Sequence, residues 1–154
     1  MNDITIRAAT LADAETLIRH RRMMWLDMGR RGEENFAVME LAAREYFQSA
    51  VPDGSYRGFV AVNAAGEVVG GVGVVVSPWP GQLGSRLPKR AMILNMYVER
   101  EYRRRGIARA LMEKAIAWCR ENGFSNVGLH ASDEGRPLYE KLGFEPTNEM
   151  RLKL

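Results

Sequence analysis

The chain has 154 residues, of which 46% are hydrophobic and 27% are charged, a composition typical of a globular protein with its own core. Its 22 basic and 19 acidic residues leave a formal net charge of +3, which argues against a nucleic-acid-coating tail and suits an anionic ligand. One cysteine excludes an internal disulfide, and one cysteine with two histidines is too few for a typical zinc site.

The sequence also lacks the signals of a membrane or secreted protein. No apolar run reaches membrane-spanning length, and residues 1–10 lack the apolar centre of a signal peptide. We therefore expect a single cytoplasmic domain over residues 1–154, with no metal, no membrane contact and no nucleic-acid partner.

The first third of the chain predicts one strand and two helices. Residues 4–6 place two isoleucines around a polar residue, as a half-buried strand does. Thr10 begins a capping-box pattern that opens a helix, and Gly29 is a plausible end for it. A second helix is expected over residues 33–50, where apolar side chains recur at helical spacing, and Pro52 should prevent its continuation.

The middle of the chain predicts a hairpin, a loop, a strand and a helix. Residues 58–63 and 67–77 read as two strands joined by an Ala-Ala-Gly turn. Residues 77–90 are rich in proline and glycine and predict a long loop, which could be a lid or a dimer contact. An apolar strand over residues 92–98 then precedes an amphipathic helix over residues 107–119, in which apolar residues recur every four positions.

The last third predicts a strand, a short helix and closing strands. Residues 126–131 favour a strand, residues 133–142 a helix, and the chain from Phe144 onward closing strands that could pair across a homodimer. This order of elements predicts an α/β (α+β) protein with a mixed sheet and helices on both of its faces.

The turn between the apolar strand and the amphipathic helix carries the clearest functional signal. Gly106 at the helix start lets a ligand approach the backbone closely, because it has no Cβ. The first N–H groups of a helix have no intrahelical acceptor and carry partial positive charge. With Arg103, Arg104 and Arg105 beside them, they predict a binding site for a pyrophosphate.

The run from Arg103 to Ala108 resembles the acetyl-CoA signature of the GNAT N-acetyltransferase superfamily, which is Arg or Gln, two variable residues, Gly, one variable residue, and Gly or Ala. The resemblance implies the GNAT fold, with a mixed, mostly antiparallel central sheet, and acetyl-CoA as co-substrate. The cofactor-binding residues that it implies are Met96, Tyr97, Val98, Arg103, Arg104, Arg105, Gly106, Ile107, Ala108, Arg109, Ser132 and Tyr139.

The run from Pro137 to Phe144 resembles the C-terminal signature of the same family. There a tyrosine, matched here by Tyr139, often protonates the departing thiolate, a role that suits a phenol; the alternative is a tyrosine that only packs the helix. Two residues depart from the family pattern. Ser132 stands where the family usually has an asparagine that binds the cofactor, and Gly135 stands where it usually has alanine.

The resemblance also implies a direct transfer of the acetyl group. The backbone of Met96, Tyr97 and Val98 would pair with the pantetheine arm, and the N–H of Met96 would polarise the thioester carbonyl, so that Met96 and Tyr139 are the catalytic candidates. The general base stays open. Its candidates are His20, Glu33, Glu34, Tyr97, Glu99 and His130.

Three further groups of residues have a functional and a structural interpretation. Cys119 on the apolar helix face favours a packing role over an acyl-carrying one. Met23, Met24, Trp25 and Met28 could line an acceptor pocket, but their helical spacing is more typical of a core. The arginines at positions 19, 21, 22, 30 and 31 could attract an acidic substrate, but a solvated helix face is the commoner arrangement.

The function that the sequence favours is acetyl transfer from acetyl-CoA to a primary amine of a small molecule or a peptide. The alternative is a catalytically weak acyl-CoA sensor of the same fold. A nucleic-acid-binding domain is a third class, weakened by the near balance of charges and by the lack of interleaved aromatic residues.

Overall fold

A computed structural model describes residues 3–154. Its strands and helices are β1 (Thr5–Ala8), α1 (Ala14–Asp27), α2 (Glu33–Asp53), β2 (Tyr56–Val62), β3 (Val68–Pro78), β4 (Lys89–Val98), α3 (Ile107–Glu121), β5 (Gly128–Leu129) and α4 (Arg136–Lys141). Short 3-10 turns lie at Leu11–Asp13 and Arg100–Tyr102. Within this part of the chain no helix combines the length and the apolar character that a membrane crossing would need.

The five strands form one sheet in the order β1-β2-β3-β4-β5. The first four are antiparallel to their neighbours, while β5 runs parallel to β4. The prediction of a mixed, mostly antiparallel sheet is therefore confirmed. β5 pairs with only two residues of β4, Met92 and Ile93, so the following half of β4 has no strand beside it on that edge.

Alternate residues of the sheet supply two cores on opposite faces. Phe59 in β2 belongs to the cluster with α3, whereas its neighbour Val60 belongs to the cluster with α1 and α2. Successive side chains of a strand point to opposite faces of the sheet, which is why these two neighbours belong to different cores. The predicted helices on both faces are thereby confirmed. Cys119 lies in the α3 core as expected, where burial raises the pKa of its thiol to about 11.

The start of α1 follows the capping pattern in the sequence. The Asp13 carboxylate accepts hydrogen bonds from the backbone N–H of Thr10 at 2.8 Å and from both terminal nitrogens of Arg7 at 2.8 and 2.9 Å. The bonds from Arg7 are the main reason that the pKa of Asp13 is lowered. Asp13 thus ties the first strand to the first helix.

The expected end of α2 is wrong. The helix continues to Asp53 and contains Pro52 in its last turn. A proline in the last turn of a helix costs only the one hydrogen bond that its missing N–H would have donated. The helix ends one residue later, so few further helical hydrogen bonds are affected. The helix ends instead at Gly54, whose φ of +82° is the left-handed conformation that glycine adopts readily.

The expected closing strands are also wrong. Residues 144–154 form no strand in this part of the structure, and β5 and α4 are shorter than predicted. A strand must form backbone hydrogen bonds with the edge strand of a sheet, and Pro146 has no backbone N–H to donate to such a bond. A contact of 3.1 Å between Glu149 Oε1 and His130 Nε2 joins the tail to the sheet.

Candidate functional site

The open edge of β4 begins at a β-bulge. Gly71 pairs with Tyr97 and Gly73 with Leu94, so that one residue of β3 faces two of β4, Asn95 and Met96. Asn95 has a φ of +57°, a conformation that asparagine tolerates better than most residues. The bulge lies beyond the last residue of β4 that pairs with β5, and bulges are frequent next to functional sites.

A cleft of about 740 Å³ occupies this opening. It is bounded by the second half of β4, the start of α3, the loop before α4 and one face of α1. Of the predicted site residues, the cleft is lined by Met96, Tyr97, Val98, Arg103, Arg104, Gly106, Ile107, Ala108, Arg109, Ser132 and Tyr139. Arg105 does not line it, and its guanidinium lies 5.2 Å from the centre of the Tyr102 ring.

The turn into α3 has the geometry of an anion site. Gly106 has a φ of +80°, and a Cβ added there would meet no atom within 4 Å, so the space in front of the backbone is free. The helix N–H of Ala110 bonds to the Gly106 carbonyl at 3.0 Å, which leaves the preceding N–H groups at the exposed helix start. Arg104 also has a positive φ of 62°, the kind of backbone strain that clusters at ligand sites.

The first arginine of the motif is held by the protein itself. Arg103 donates through Nε to the carbonyl of Val98 at 2.8 Å and through a terminal nitrogen to Asp27 at the end of α1 at 2.5 Å. Arg100 donates to the same carboxylate at 2.9 Å. Burial opposes ionisation of Asp27, but these hydrogen bonds outweigh it and lower its pKa. The ion pairs join α1 to the end of β4.

Tyr139 on α4 and Ser132 in the loop before it both line the cleft. The Tyr139 side chain is buried, which raises the pKa of its phenol. A Cβ on Gly135 would come within 2.9 Å of that hydroxyl, so the glycine that departs from the family pattern makes room for the tyrosine. Ser132 Oγ accepts the N–H of Gly135 at 3.1 Å and keeps its own O–H free to donate.

The methionines and the tryptophan of α1 that line the cleft are not core residues, contrary to what their helical spacing predicts. Met24, Trp25 and Met28 line the cleft and are partly or fully exposed. The residues of α1 that reach the core are Ala14, Leu17, Ile18 and His20. No strand or helix covers the gap beside β4, so the face of α1 above that gap meets the cleft.

The arginines near α1 are not one solvated face. Arg19 pairs with Glu99, and Arg22 pairs with both Glu33 and Glu40. Arg21 points into the cleft and donates to Asn95 Oδ1 at 2.8 Å. Arg30 and Arg31 are exposed as expected.

A second hollow of about 310 Å³ adjoins the cleft under α2. It shares Arg21, Val75, Leu94 and Asn95 with the cleft. Its remaining lining consists of Met39, Ala42, Ala43, Tyr46 and Phe47. The space beside the cleft is therefore apolar except where it meets Arg21 and Asn95.

The candidate bases are scattered. His20 is buried against the Tyr97 ring with its Nε2 3.3 Å from Glu99 Oε1. Burial, followed by the charge of Arg19, lowers the pKa of His20 to about 4, and neither His20 nor Glu99 lines the cleft.

The other candidates lie in three places. Glu33 is paired with Arg22, and Glu34 is exposed at the start of α2. Tyr97 and His130 line the cleft. Among residues 3–154, no three His, Cys, Asp or Glu side chains come together as a metal ion would require.

Sequence reasoning missed two residues that shape this site. Asp27 gives no local signal, because its partners are more than 70 positions away in the chain. Asn95 does give one: it is a polar residue with a tolerance for positive φ in the middle of an apolar strand, a pattern that favours a bulge.

Comparison with known proteins identifies relatives of this arrangement. The model of the acetyltransferase (GNAT) family matches residues 20–144. N-acetyltransferase 8 of Homo sapiens is 33% identical over 64 residues, which are 40% of this chain and 28% of that protein. Streptothricin acetyltransferase of Streptomyces lavendulae is 32% identical over 95 residues, 60% of this chain and 46% of that enzyme. The matched segments thus span less than half the length of these curated relatives.

Two solved structures are similar over nearly all of the chain. A GCN5-related N-acetyltransferase from Ralstonia eutropha JMP134 has a TM-score of 0.91 and 36% identity, covering 98% of both chains. A predicted acetyltransferase with acetyl-CoA from Clostridium acetobutylicum has a TM-score of 0.87 and 23% identity, covering 98% of this chain and 95% of that one. The second likeness is one of fold.

Proposed function

Because this chain belongs to the acetyltransferase (GNAT) family, we propose that it transfers the acetyl group of acetyl-CoA directly to an amine. The observation that carries the proposal is the cleft itself. It runs from the positively charged start of α3 to the bulge in β4, and all residues of the Arg103–Ala108 motif except Arg105 line it together.

The binding part of the proposal rests on backbone groups. The open N–H groups at Gly106, Ile107 and Ala108 would hold the pyrophosphate, with the positive charges of Arg104 and Arg109 beside them. Beyond Ile93, β4 has no strand beside it on the side where β5 has ended, although the Val98 carbonyl already accepts the Arg103 Nε–H. The backbone groups of Met96 and Tyr97 that face this side are therefore the ones offered to a ligand. They would bind the pantetheine arm as a further strand is bound. Ser132 would add one hydroxyl donor.

The catalytic part of the proposal uses one backbone group and one side chain. The N–H of Met96 would hold the oxygen of the thioester carbonyl and stabilise the negative charge that develops on it. Tyr139 would give its phenolic proton to the sulfur of coenzyme A as the C–S bond breaks. Burial favours the protonated phenol, so Tyr139 remains a donor throughout the neutral range.

The acceptor would enter from the side of α1 and α2. The amine must be uncharged to attack the carbonyl carbon, and water in the open cleft can take up its proton. Met24, Trp25 and Met28 would form the apolar wall that it passes. Streptothricin acetyltransferase is matched over only 46% of its length, so the lining of this cleft is the better guide to the identity of the amine.

The proposal is tested by calorimetric titration with acetyl-CoA, followed by thiol release with a panel of primary amines. We expect micromolar binding and amine-dependent release of coenzyme A. Cys119 is the only cysteine and is buried with a raised pKa, so the native protein adds little background to a thiol assay. Binding without release for every amine would support the sensor alternative instead. A folded protein that does not bind acetyl-CoA would contradict both.

A further inference from the structure

Arg21 stands where the cleft meets the hollow under α2. Its side chain lines both spaces and is partly buried. It lies next to the reaction point of the proposed function, because its hydrogen-bond partner Asn95 directly precedes Met96. A ligand that reached from the Met96 backbone towards α2 would pass this guanidinium.

Arg21 lacks the counter-charge that its neighbours have. Arg19 and Arg22, which flank it on α1, pair with Glu99 and with Glu33 and Glu40. None of the ion pairs formed within residues 3–154 involves Arg21. Burial lowers the pKa of its guanidinium, yet an arginine remains charged at neutral pH. The site therefore holds a positive charge that the protein does not neutralise.

The guanidinium is fixed in place by a short chain of contacts. Arg21 donates to Asn95 Oδ1 at 2.8 Å, and Asn95 Nδ2 lies 3.5 Å from the hydroxyl of the buried Tyr56. The Tyr56 hydroxyl occupies the space above Gly73, where a Cβ would approach it to 2.1 Å. One donor of Arg21 is used in this way, and the other N–H groups of its planar fork remain for a ligand.

The surroundings of Arg21 indicate what the rest of the ligand is like. The hollow under α2 is lined by apolar and aromatic side chains apart from Arg21 and Asn95. Its volume of about 310 Å³ is at the lower limit for ligand pockets. A small apolar group fits there without an unpaired polar atom being buried.

We propose that the acceptor is an amine that carries its own carboxylate and an apolar side chain, with the carboxylate bound by Arg21 and the side chain in the hollow under α2. This inference rests on the proposed acetyl transfer. An amino acid with a free amino group and an apolar side chain has this chemistry. The planar carboxylate matches the fork of a guanidinium, which can bind it through two parallel hydrogen bonds.

A phosphate monoester is the competing anion, since arginine binds both groups. A single unpaired guanidinium favours the singly charged carboxylate, because a doubly charged phosphate would bury excess negative charge. The neighbouring arginines on α1 already have carboxylate partners. The two anions are distinguished by a separate arm of the experiment.

The experiment compares matched acids and amides as acceptors: L-leucine, L-methionine and L-phenylalanine with their carboxamides. For each pair, thiol release gives the ratio of kcat/KM for acid over amide, in wild type and in Arg21→Gln. Taking this ratio between proteins cancels the difference in amine basicity within a pair. We expect Arg21→Gln to lower the ratio by about 10- to 100-fold, the usual value of a hydrogen bond between charged groups, mainly through KM of the acid.

Two further variants and two further pairs of substrates make the result specific. Arg21→Lys keeps the charge and should restore part of the ratio, while Arg31→Gln, at an exposed arginine beyond α1, should leave it unchanged. β-Alanine against phosphoethanolamine tests the anion, and a preference for the phosphate would overturn the assignment to a carboxylate. Alanine against leucine tests the hollow, and equal kcat/KM for the two would overturn its role.

The outcome that overturns the proposal is a ratio that Arg21→Gln does not change, or a wild type that uses no acid of the panel. Acetyl-CoA affinity, measured by calorimetry on the same preparations, separates this failure from that of the proposed function. Normal cofactor binding with no preference for acids would overturn only the acceptor class. Loss of cofactor binding in the wild type would overturn acetyl transfer itself.

Discussion

The two walls of the cleft are built from different parts of the polypeptide. The wall formed by β4 and the start of α3 offers backbone groups to a ligand: those along β4 beyond its pairing with β5, and the open N–H groups at Gly106. The wall formed by α1 and α2 presents side chains, chiefly those of Arg21, Trp25 and Met28. Backbone groups are the same in every protein, so the first wall suits a ligand that many proteins share. The second wall can differ in any protein of this fold and suits a ligand specific to this one.

This difference separates the two halves of the proposed reaction. A change in the backbone wall should alter the handling of acetyl-CoA for every acceptor. A change in the side-chain wall should alter acceptors selectively and leave acetyl-CoA binding as it was. The following predictions test that separation.

The largest effect is expected for Tyr139→Phe. The variant keeps the ring in its core position and removes only the hydroxyl, so acetyl-CoA affinity should stay close to that of wild type. Loss of a general acid costs about 10²- to 10⁴-fold in rate, which kcat for thiol release would measure. Because burial raises the pKa of the phenol, wild-type activity should not decline at the ordinary pKa of tyrosine. An unchanged kcat in the variant would leave Tyr139 a packing residue.

Gly106→Val should weaken acetyl-CoA binding by about 100-fold or more. The side chain would stand in the free space in front of the helix start, and its branched Cβ is strained at a φ of +80°. Gly123→Val is the matched control, since Gly123 at the other end of α3 has a φ of +82° and equal free space. Both variants should lose similar stability, but only Gly106→Val should lose affinity by calorimetry. Equal losses of affinity would contradict the assignment of the pyrophosphate site.

Trp25→Ala should raise KM for the acceptor by roughly tenfold, about 1.4 kcal/mol, because it removes an aromatic part of the side-chain wall. The affinity for acetyl-CoA should stay within about twofold of wild type. Steady-state kinetics with a saturating second substrate would separate the two constants. A joint loss of both would show that the walls do not act separately.

The smallest effect concerns stability alone. Asp13→Asn should lower the free energy of unfolding by about 1–2 kcal/mol, because it weakens the helix cap and the bonds from Arg7. The hydrogen bonds from Arg7 hold the pKa of Asp13 in the folded protein below its usual value. The carboxylate therefore stabilises the fold at neutral pH, and this contribution is lost as the pH falls through the lowered pKa. Urea titrations at pH 7 and pH 3 should therefore show a smaller difference between wild type and variant at pH 3, with acetyl-CoA affinity at pH 7 unchanged.

The same contrast explains what the sequence could and could not predict. The strand, turn and helix around Gly106 follow from local patterns, and their bounds agree with the structure to within a few residues. The local pattern also predicts the closing strands, but a strand forms only where it can pair with the edge of a sheet. The strand at the nearest edge, β5, has only two residues. Met24 and Trp25 have the spacing of core residues. They line a cleft because β5 leaves the second half of β4 unpaired. The local sequence around Met24 and Trp25 carries no information about that distant opening.

The role of Arg21 was hidden for a similar reason. Five arginines near α1 have the same local character in the sequence, and only the positions of distant carboxylates distinguish them. Arg19 and Arg22 have such partners, whereas Arg21 has an amide from β4. Long-range charge pairing is fixed by the fold and is not visible in helical periodicity.

The exposed tail bears on the expected homodimer, which stays a prediction. Met150, Leu152 and Leu154 alternate with polar residues and are almost fully exposed. Pairing of two tails, or of one tail with the short β5 of a second copy, would cover these side chains. Light scattering at increasing concentration would measure the mass of the particle, and removal of residues 145–154 should abolish any dimer that forms in this way.

The ion pairs of Asp27 are a point at which the two walls are connected. This carboxylate ends α1, one turn after Met24, which lines the cleft. It also accepts hydrogen bonds from Arg100 and Arg103, which precede the turn into α3. If a pyrophosphate bound at that turn and ordered it, these ion pairs would also favour order at the end of α1, where the proposed acceptor enters. By thermodynamic linkage, an amine that orders α1 must tighten the hold on the cofactor by the same factor. One aspartate that lines the cleft would then couple the affinities of the two ligands.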